Sequence, residues 1–185
     1  MTALVTRITA DDFLTSDHRG FELVDGEIRE NPMSDLTSFL GGEMFRGIAN
    51  HAVEHDLGRA YPQDTGIRVW DDAPNRVRKP DAMFIVKSRL RPPGDGWVRV
   101  APDLVVEIVS PNDEAQELER KIANYRSAGV RLIWVIYPDT QNAYVHRRRQ
   151  PVEVVEADGI LDGEDVLPGF ALPLRDLFAL AQGAR

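Results

Sequence analysis

The chain has 185 residues, of which 43% are hydrophobic and 28% are charged, so it is long enough and apolar enough to fold around a core. Its formal net charge of −8 argues against a protein that coats nucleic acid through charge alone, because such binding needs many Lys or Arg contacts to phosphates. The charge does not exclude an enzyme that meets phosphate through a bound cation.

The sequence also limits the cellular location of the protein and the catalytic chemistry that its side chains can supply. It contains no cysteine, which excludes disulfides, thiolate nucleophiles and zinc–thiolate sites. No apolar run reaches the roughly eighteen residues that a transmembrane helix needs. Residues 1–7 lack the charged lead and the apolar core of a signal peptide. We therefore expect a cytoplasmic protein that does not enter a membrane.

The first predicted elements are a hairpin, a long helix and a strand. Asp25-Gly26 lies between two short alternating segments of Phe21–Arg29, which predicts a β-hairpin. Apolar residues recur at helical spacings from about Asp35 to His55, although the pair Gly41-Gly42 disfavours an unbroken helix. Thr65–Trp70 has the composition of a strand.

Two further predicted strands carry acidic residues. Asp81 stands directly before the apolar run Ala82–Val86, and Glu107 lies inside Asp103–Val109, whose apolar side chains point both ways. Such a strand is covered on both faces, where an isolated carboxylate is poorly solvated. Because burying an unpaired charge costs several kcal/mol, Glu107 must take up a proton, find a cation or hold a metal.

A helix is predicted directly after the strand that contains Glu107. Ser110–Asp113 is typical of a helix start, and the helix is predicted to run to about Ala128 and to stop at Gly129. Lys121 lies at the margin of the apolar stripe, from which its amine can reach past the end of the strand. The stripe itself consists of Leu118, Ile122 and Tyr125.

The remaining elements complete one mixed domain. Leu132–Ile136 is predicted to be a strand that forms a βαβ crossover with the preceding strand and helix. Ala143–Arg147 and Val152–Glu156 are predicted to add antiparallel strands, and Leu174–Ala181 a short helix. The sequence therefore predicts a single α/β (α+β) domain over residues 1–185.

Several short motifs follow one another in a fixed order along nearly the whole chain. They are Phe21–Glu27, Lys79-Pro80-Asp81, Ala101–Pro111, Lys121, Tyr125, Gly129-Val130, Trp134-Val135, Leu167-Pro168-Gly169 and Leu177-Phe178. In this order they resemble the Uma-type restriction endonucleases, which lie within the PD-(D/E)XK nuclease superfamily. The resemblance implies a restriction-endonuclease-like fold, in which a mixed β-sheet is flanked by helices and preceded by an N-terminal hairpin.

The resemblance also implies a set of site residues. Asp81 and Glu107 would be the acidic metal ligands, and hard carboxylate oxygens suit Mg²⁺ or Mn²⁺. Glu22 would be a further acidic residue, either another ligand or a group that positions water. The superfamily lysine normally falls two residues after the glutamate, where this chain has Val109. Lys121 resembles a migrated lysine that reaches the site from the helix.

The resemblance also bears on a third metal ligand and on the start of the first long helix. The backbone carbonyl of Ile108 would add a third oxygen to the metal site. Many relatives carry a histidine at the start of the first long helix, which this sequence lacks. Ser34 and Asp35 stand near that position instead. The contribution of the first helix to the site is therefore left open.

Three functions follow from these residues. The leading interpretation is a Mg²⁺-dependent endonuclease that hydrolyses the phosphodiester bonds of DNA and acts as a homodimer. The alternative is a catalytically inactive binding or assembly module that keeps the nuclease fold, which the acidic charge and Val109 both favour. The third is a metal-dependent hydrolase of another phosphate ester. No zinc-finger spacing or helix-turn-helix motif indicates a particular target sequence.

Each candidate residue also has a simpler interpretation by itself. Glu107 would cap a backbone group or pair with an arginine, and Asp81 would merely follow Pro80 in a turn. Lys121 would be a solvated helix lysine. Glu22 would be exposed on the polar face of the hairpin.

The histidines and the basic run have simple interpretations as well. His51 and His55 share a helical spacing that suits a metal, but no third ligand is evident nearby, so we expect packed or surface positions. His146–Arg149 is the basic run of the sequence. It is typical of a solvated strand end, and the alternative is a contact to phosphate.

Overall fold

A computed structural model of the chain describes residues 7–31, 34–111 and 113–183. In chain order its elements are α1 (Ala10–Thr15), β1 (Phe21–Val24), β2 (Glu27–Glu30), α2 (Asp35–Glu54), β3 (Gly58–Pro62), β4 (Ala82–Val86), β5 (Leu104–Ile108), α3 (Ala115–Ser127), β6 (Leu132–Tyr137), β7 (Asn142–Arg147), β8 (Glu153–Val155), β9 (Ile160–Asp162), β10 (Ala171–Pro173) and α4 (Leu174–Ala181).

A mixed sheet forms the centre of the described chain. Its strands run in the order β3-β4-β5-β6-β7-β8, and β5 pairs with β6 in parallel while the other neighbours are antiparallel. The side chains on one face pack with α2 and α4, and those on the other face pack with α3. The predicted fold class, a mixed sheet flanked by helices, is confirmed.

The N-terminal hairpin forms as predicted. Asp25 and Gly26 have φ values of 53° and 90°, which is the left-handed pair that a tight two-residue hairpin turn requires. Leu23 and Val77 exchange backbone hydrogen bonds of 3.1 Å and 2.8 Å. These bonds attach β1 to the segment that leads to Asp81, so the hairpin brings Glu22 towards the sheet.

Helix α2 is continuous, so the predicted helix is confirmed despite its glycine pair. Ser34 caps it by accepting a hydrogen bond from the backbone N–H of Thr37. Gly41 and Gly42 both stay helical. Each glycine costs about 1 kcal/mol relative to alanine. Burial of the apolar face of the helix against the sheet outweighs that cost.

Strand β5 is buried on both faces, as predicted. Val105 and Glu107 face α3, whereas Leu104 and Val106 face the core shared with α2 and α4. The parallel pairing of β5 with β6 confirms the strand–helix–strand unit. Glu107 therefore projects from the sheet directly beneath α3.

Helix α3 begins later than its sequence signature indicates. It starts at Ala115, because Asp113 accepts a 2.7 Å hydrogen bond from the backbone N–H of Ser110 and holds that segment in a turn. Asn112, which belongs to the same signature, lies outside the described residues. The predicted end is confirmed: Gly129 has a φ of 84°, as a glycine that ends a helix commonly does.

The predicted strand Thr65–Trp70 is wrong. Within it, Ile67 alone forms isolated bridges, to Arg78 and to Val98. The edge strand is instead β3, whose residues include Gly58 and Pro62, both poor strand formers. Pairing with β4 along its whole length decides the conformation of β3.

The C-terminal part agrees with the sequence except for one pair of strands. β7 and β8 add to the sheet in antiparallel fashion, and α4 spans the predicted residues. The antiparallel pair β9–β10 was not predicted, and neither was α1.

Across the described ranges, none of the helices combines the length and the apolar character needed to cross a membrane.

Candidate active site

Asp81 and Glu107 lie where the start of β4 adjoins the end of β5, two interior strands of the sheet. Asp81 precedes β4, and its backbone N–H donates to the carbonyl of Val106 at 3.1 Å. Its Oδ2 accepts a 2.7 Å hydrogen bond from the backbone N–H of Ile108. Because β4 and β5 are antiparallel, the start of β4 lies beside the end of β5, where Glu107 is found. Only 7% of Asp81 and 5% of Glu107 is exposed.

Lys121 reaches these carboxylates from α3. Its Nζ lies 3.4 Å from Oε2 of Glu107 and 3.6 Å from Oε2 of Glu22. It also donates a 2.7 Å hydrogen bond to Oδ1 of Asn31. The residue is buried, which rules out the simpler interpretation of a solvated helix lysine.

Glu22 is buried as well, so it is not an exposed hairpin residue. Its Oε1 accepts a 2.6 Å hydrogen bond from the backbone N–H of Lys79, and its Oε2 accepts one of 2.9 Å from Nη1 of Arg78. Both oxygens are thus engaged, and Oε2 also faces the amine of Lys121. Glu22 thus contacts both Arg78 and Lys121, an arrangement that suits a residue that positions these two cations.

Tyr125 belongs to the site, although the sequence placed it in an apolar stripe. Its hydroxyl donates a 2.6 Å hydrogen bond to Oε1 of Glu107. Tyr125 lies one helical turn after Lys121, so both residues project from the same face of α3. The available signal was the residue type, since a buried tyrosine hydroxyl usually requires a partner.

Arg78 is a fully buried guanidinium that the sequence did not indicate. Its Nη1 contacts Oε2 of Glu22 at 2.9 Å and Oε1 of Glu117 at 2.6 Å, and its Nε donates to Oδ1 of Asn124 at 2.9 Å. Its Nη2 is buried and has no hydrogen-bond partner among the described residues. Arg78 therefore contributes the second positive charge of the site.

The net effect of charge and burial is to raise the pKa values of Asp81, Glu107 and Lys121. Burial, together with the nearby charge of Glu107, raises the pKa of Asp81 to about 8. Burial also raises the pKa of Glu107, and the adjacent Lys121 offsets only part of that rise. Burial opposes the charge on Lys121, but the surrounding carboxylates raise its pKa above the ordinary value for a lysine. Four carboxylates, those of Glu22, Asp81, Glu107 and Glu117, thus surround the two buried cations Lys121 and Arg78.

The donor chemistry of this group fits a hard divalent cation. Among the described residues, no three or more His, Cys, Asp or Glu side chains form an arrangement that could hold a metal by themselves. Asp81 and Glu107 supply two carboxylates, and Mg²⁺ is commonly bound by one or two carboxylates while water and substrate complete its octahedron. The uncompensated negative charge favours such an ion.

Gln63 is a further oxygen donor that the sequence did not indicate. Its Oε1 is buried and has no hydrogen-bond partner in the described part of the chain. A Cβ added to Gly41 would lie 3.7 Å from this oxygen and 3.9 Å from Cγ of Asp81, so both groups adjoin the same part of α2. A cation or an ordered water beside Asp81 would satisfy it.

An open cleft of about 340 Å³ connects the site to solvent. Glu107 and Lys121 lie in its wall, and the exposed residues Arg29 and Arg120 line it as well. Asp81 does not contribute to the lining. The cleft is large enough for a phosphate group to approach the amine of Lys121.

The other candidates lie outside the site. The rings of His51 and His55 stack with centroids 4.3 Å apart, and Nε2 of His51 lies 2.9 Å from the carbonyl oxygen of Pro168. These histidines pack, as expected. Ser34, which stands near the predicted start of the first long helix, caps α2.

Known proteins with a similar sequence or fold are described as nucleases. Residues 10–175 match the model of the Uma2 family, described as "Putative restriction endonuclease". A crystal structure of a "putative nuclease belonging to DUF820" from Anabaena variabilis shares 25% sequence identity with the chain at a TM-score of 0.80. The match covers 94% of this chain and 99% of that one. No curated protein matches the chain.

Proposed function

We propose that this chain, which belongs to the Uma2 family of restriction endonucleases, is a metal-dependent endonuclease that hydrolyses the phosphodiester bonds of DNA. One observation carries the proposal: Asp81 and Glu107 are both buried where β4 begins and β5 ends, the amine of Lys121 lies 3.4 Å from Glu107, and the acidic side chains there outnumber the cations. The family and the fold of the solved nuclease support the reaction class.

In this proposal Asp81 and Glu107 hold one Mg²⁺ or Mn²⁺ ion. When bound, the ion would lower the pKa of the attacking water and offset the charge that grows on the scissile phosphate. Tyr125 fixes the orientation of Glu107 by donating to its Oε1, which leaves Oε2 turned towards Lys121. The buried oxygen of Gln63 provides a further acceptor beside Asp81.

Lys121 is proposed to stabilise the phosphate during hydrolysis. Its raised pKa keeps the amine charged at neutral pH, and it lies in the wall of the cleft. Asn31 and Glu22 orient it from two sides. A preorganised cation aimed at developing negative charge lowers the barrier without reorganisation during the reaction. Lys121 thus takes the role of the lysine that Val109 replaces.

The proposal is tested by DNA cleavage with purified protein. We expect the wild type to cleave duplex DNA with Mg²⁺ or Mn²⁺ and to stop when EDTA is added. Glu107→Gln should cleave at least about a hundredfold more slowly, because the amide cannot carry the charge that binds the metal. The matched control is Glu119→Gln, an exposed acid on α3, which should cleave normally. Wild-type cleavage by Glu107→Gln would remove the assignment.

A catalytically inactive binding module is the second candidate, and the net charge of −8 together with Val109 favours it. Calorimetric titration with Mn²⁺ separates the two. The nuclease binds Mn²⁺ and loses that affinity in Asp81→Asn. Absence of binding in both proteins would support the module. Cleavage of a small phosphodiester without cleavage of DNA would instead support a hydrolase of another phosphate ester.

Two properties of the whole molecule are proposed with this function. We propose a homodimer, because a duplex has two strands to cut and the described part of the chain has one such site. Light scattering should then give twice the chain mass of 20.8 kDa. We also propose a cytoplasmic location, which the absence of cysteine suits and which fractionation of the source cells would test.

A further inference from the structure

A second cavity, of about 260 Å³, opens where the end of α3 meets β6 and β7. We call it the basic cavity and define it by Arg126, His146, Arg148 and Arg149, which all line it. Nothing in the proposed cleavage reaction uses these residues. Arg148, Arg149 and Arg126 are exposed, whereas His146 is 6% exposed.

The hydrogen bonding of His146 leaves a buried donor without an acceptor. Its Nδ1 lies 3.2 Å from Nη2 of Arg126. Since a guanidinium can only donate, Nδ1 must carry a lone pair, and the proton of the neutral ring is then on Nε2. Burial, with the charge of Arg126, lowers the pKa of His146, which favours this neutral form. Nε2 is buried and has no partner among the described residues.

The arginines around this donor lack counter-ions. In the described ranges, no carboxylate forms an ion pair with Arg126, Arg148 or Arg149. Arg147 differs, because Glu153 and Glu164 both pair with it. Three guanidinium groups without an ion pair and one unsatisfied N–H donor around a single cavity match an oxyanion, on a chain whose net charge is −8.

The basic cavity lies on the same side of the sheet as the candidate active site. Val105 pairs with Ile133, and Ile133 pairs with His146, so these residues share the face from which Glu107 projects. Arg126 follows Lys121 by five residues on α3, a rise of about 7.5 Å along the helix axis. The cleft and the basic cavity therefore both adjoin α3 on this face of the sheet.

We propose that the basic cavity binds a backbone phosphate of the DNA substrate outside the cleft. This inference rests on the proposed function, because it takes DNA to be the ligand. His146 donates Nε2–H to a phosphate oxygen, and the three arginines offset the phosphate charge. The contact adds affinity without sequence preference, since phosphate contacts position a duplex and do not read its bases.

The test measures DNA binding in EDTA, where no cleavage occurs, as a function of salt. The variant Arg148→Gln/Arg149→Gly removes two charges, and glycine suits position 149 because Arg149 has a φ of 62°. We expect a Kd about tenfold higher and a salt slope reduced by about 1. The control Arg19→Gln/Arg175→Gln removes two exposed charges elsewhere. Equal effects of both pairs, or no effect of the first, would overturn the inference.

Nuclear magnetic resonance of the imidazole nitrogens supplies a local readout. Titration with a short DNA duplex should shift Nε2 of His146 and leave the other three histidines, His18, His51 and His55, unchanged. Inorganic phosphate that shifts His146 while DNA does not would assign the cavity to free phosphate and overturn the proposal. If the protein binds DNA through the basic cavity but never cleaves it, only the proposed function is removed. A protein that binds no DNA would remove this inference.

Discussion

Oδ2 of Asp81 accepts a 2.7 Å hydrogen bond from the backbone N–H of Ile108, the residue that follows Glu107 on β5. This bond fixes the carboxylate that precedes β4 against the end of the neighbouring strand. The contact favours the ionised form of Asp81, yet burial and the charge of Glu107 outweigh it and raise the pKa to about 8. Without a metal ion, Asp81 therefore holds a proton at neutral pH, which a bound metal ion would displace.

Asp81→Asn should stabilise the metal-free protein at alkaline pH. The pKa of Asp81 is raised from 3.8 to about 8, so its contribution to stability is fully present below about pH 4 and is lost as the pH rises to about 8. Asparagine keeps the acceptor for Ile108 and does not ionise. The difference in the free energy of unfolding between variant and wild type should therefore be larger at pH 9 than at pH 5.

Denaturant unfolding at the two pH values measures this effect. Asp158→Asn is the matched control, because Asp158 is exposed and its substitution should change stability equally at both values. A change of 1 kcal/mol in the free energy of unfolding also corresponds to a change of about 2–4 °C in Tm for a chain of this size. An Asp81→Asn protein that is no more stable than wild type at pH 9 would contradict the raised pKa.

Mn²⁺ affinity should rise with pH. Because a carboxylate must lose its proton to bind a metal, and the pKa of Asp81 is about 8, binding near pH 6 releases one proton or more. The association constant should increase up to about tenfold per pH unit between pH 6 and pH 8 and then level off. Calorimetry in two buffers of different ionisation enthalpy counts the released protons. A constant affinity from pH 6 to pH 8 would argue against Asp81 as a ligand.

Lys121→Met should reduce DNA cleavage by about a hundredfold or more, because it removes the cation next to the scissile phosphate. Methionine keeps much of the apolar stem, so the fold should survive, as circular dichroism would show. Lys87→Met, at an exposed lysine that pairs with Asp56, is the matched control and should cleave at the wild-type rate. Full activity in Lys121→Met would exclude the migrated-lysine role.

Arg78→Met should destabilise the protein by about 3–5 kcal/mol, because it leaves Glu22 buried beside one cation fewer. Glu22→Gln in the same chain should recover part of that loss, since it removes the uncompensated charge. Denaturant midpoints measure both effects, and Arg175→Met, at an exposed arginine, should change little. An unchanged stability in Arg78→Met would show that solvent screens this ion pair.

Local sequence patterns predicted much of the fold. The Asp25-Gly26 turn, the end of α3 at Gly129 and the doubly buried β5 are each specified by residues within a few positions of one another. Strand β3 was missed because its own residues are poor strand formers and its conformation depends on pairing with β4. The start of α3 was placed too early because the side chain of Asp113 competes with the helix for the backbone.

The candidate site was predicted only in part, for the same reason. The sequence singled out Asp81 and Glu107, because each carboxylate adjoins a run of apolar residues whose burial can be inferred from composition. It gave no indication of Arg78 or Gln63, whose importance depends on which side chains lie beside them.

The sequence alone therefore determined most of the elements, the family resemblance and the residues for which burial is costly. Only the tertiary structure decided which charges meet: Glu22 from the hairpin, Asp81 before β4 and Lys121 from α3 come together through strand pairing and helix packing. The periodicity of apolar residues indicates which face of a helix or strand is buried, because that pattern is set by residues close together in the chain. The partner of a buried charge depends on contacts between distant segments, which local periodicity does not encode.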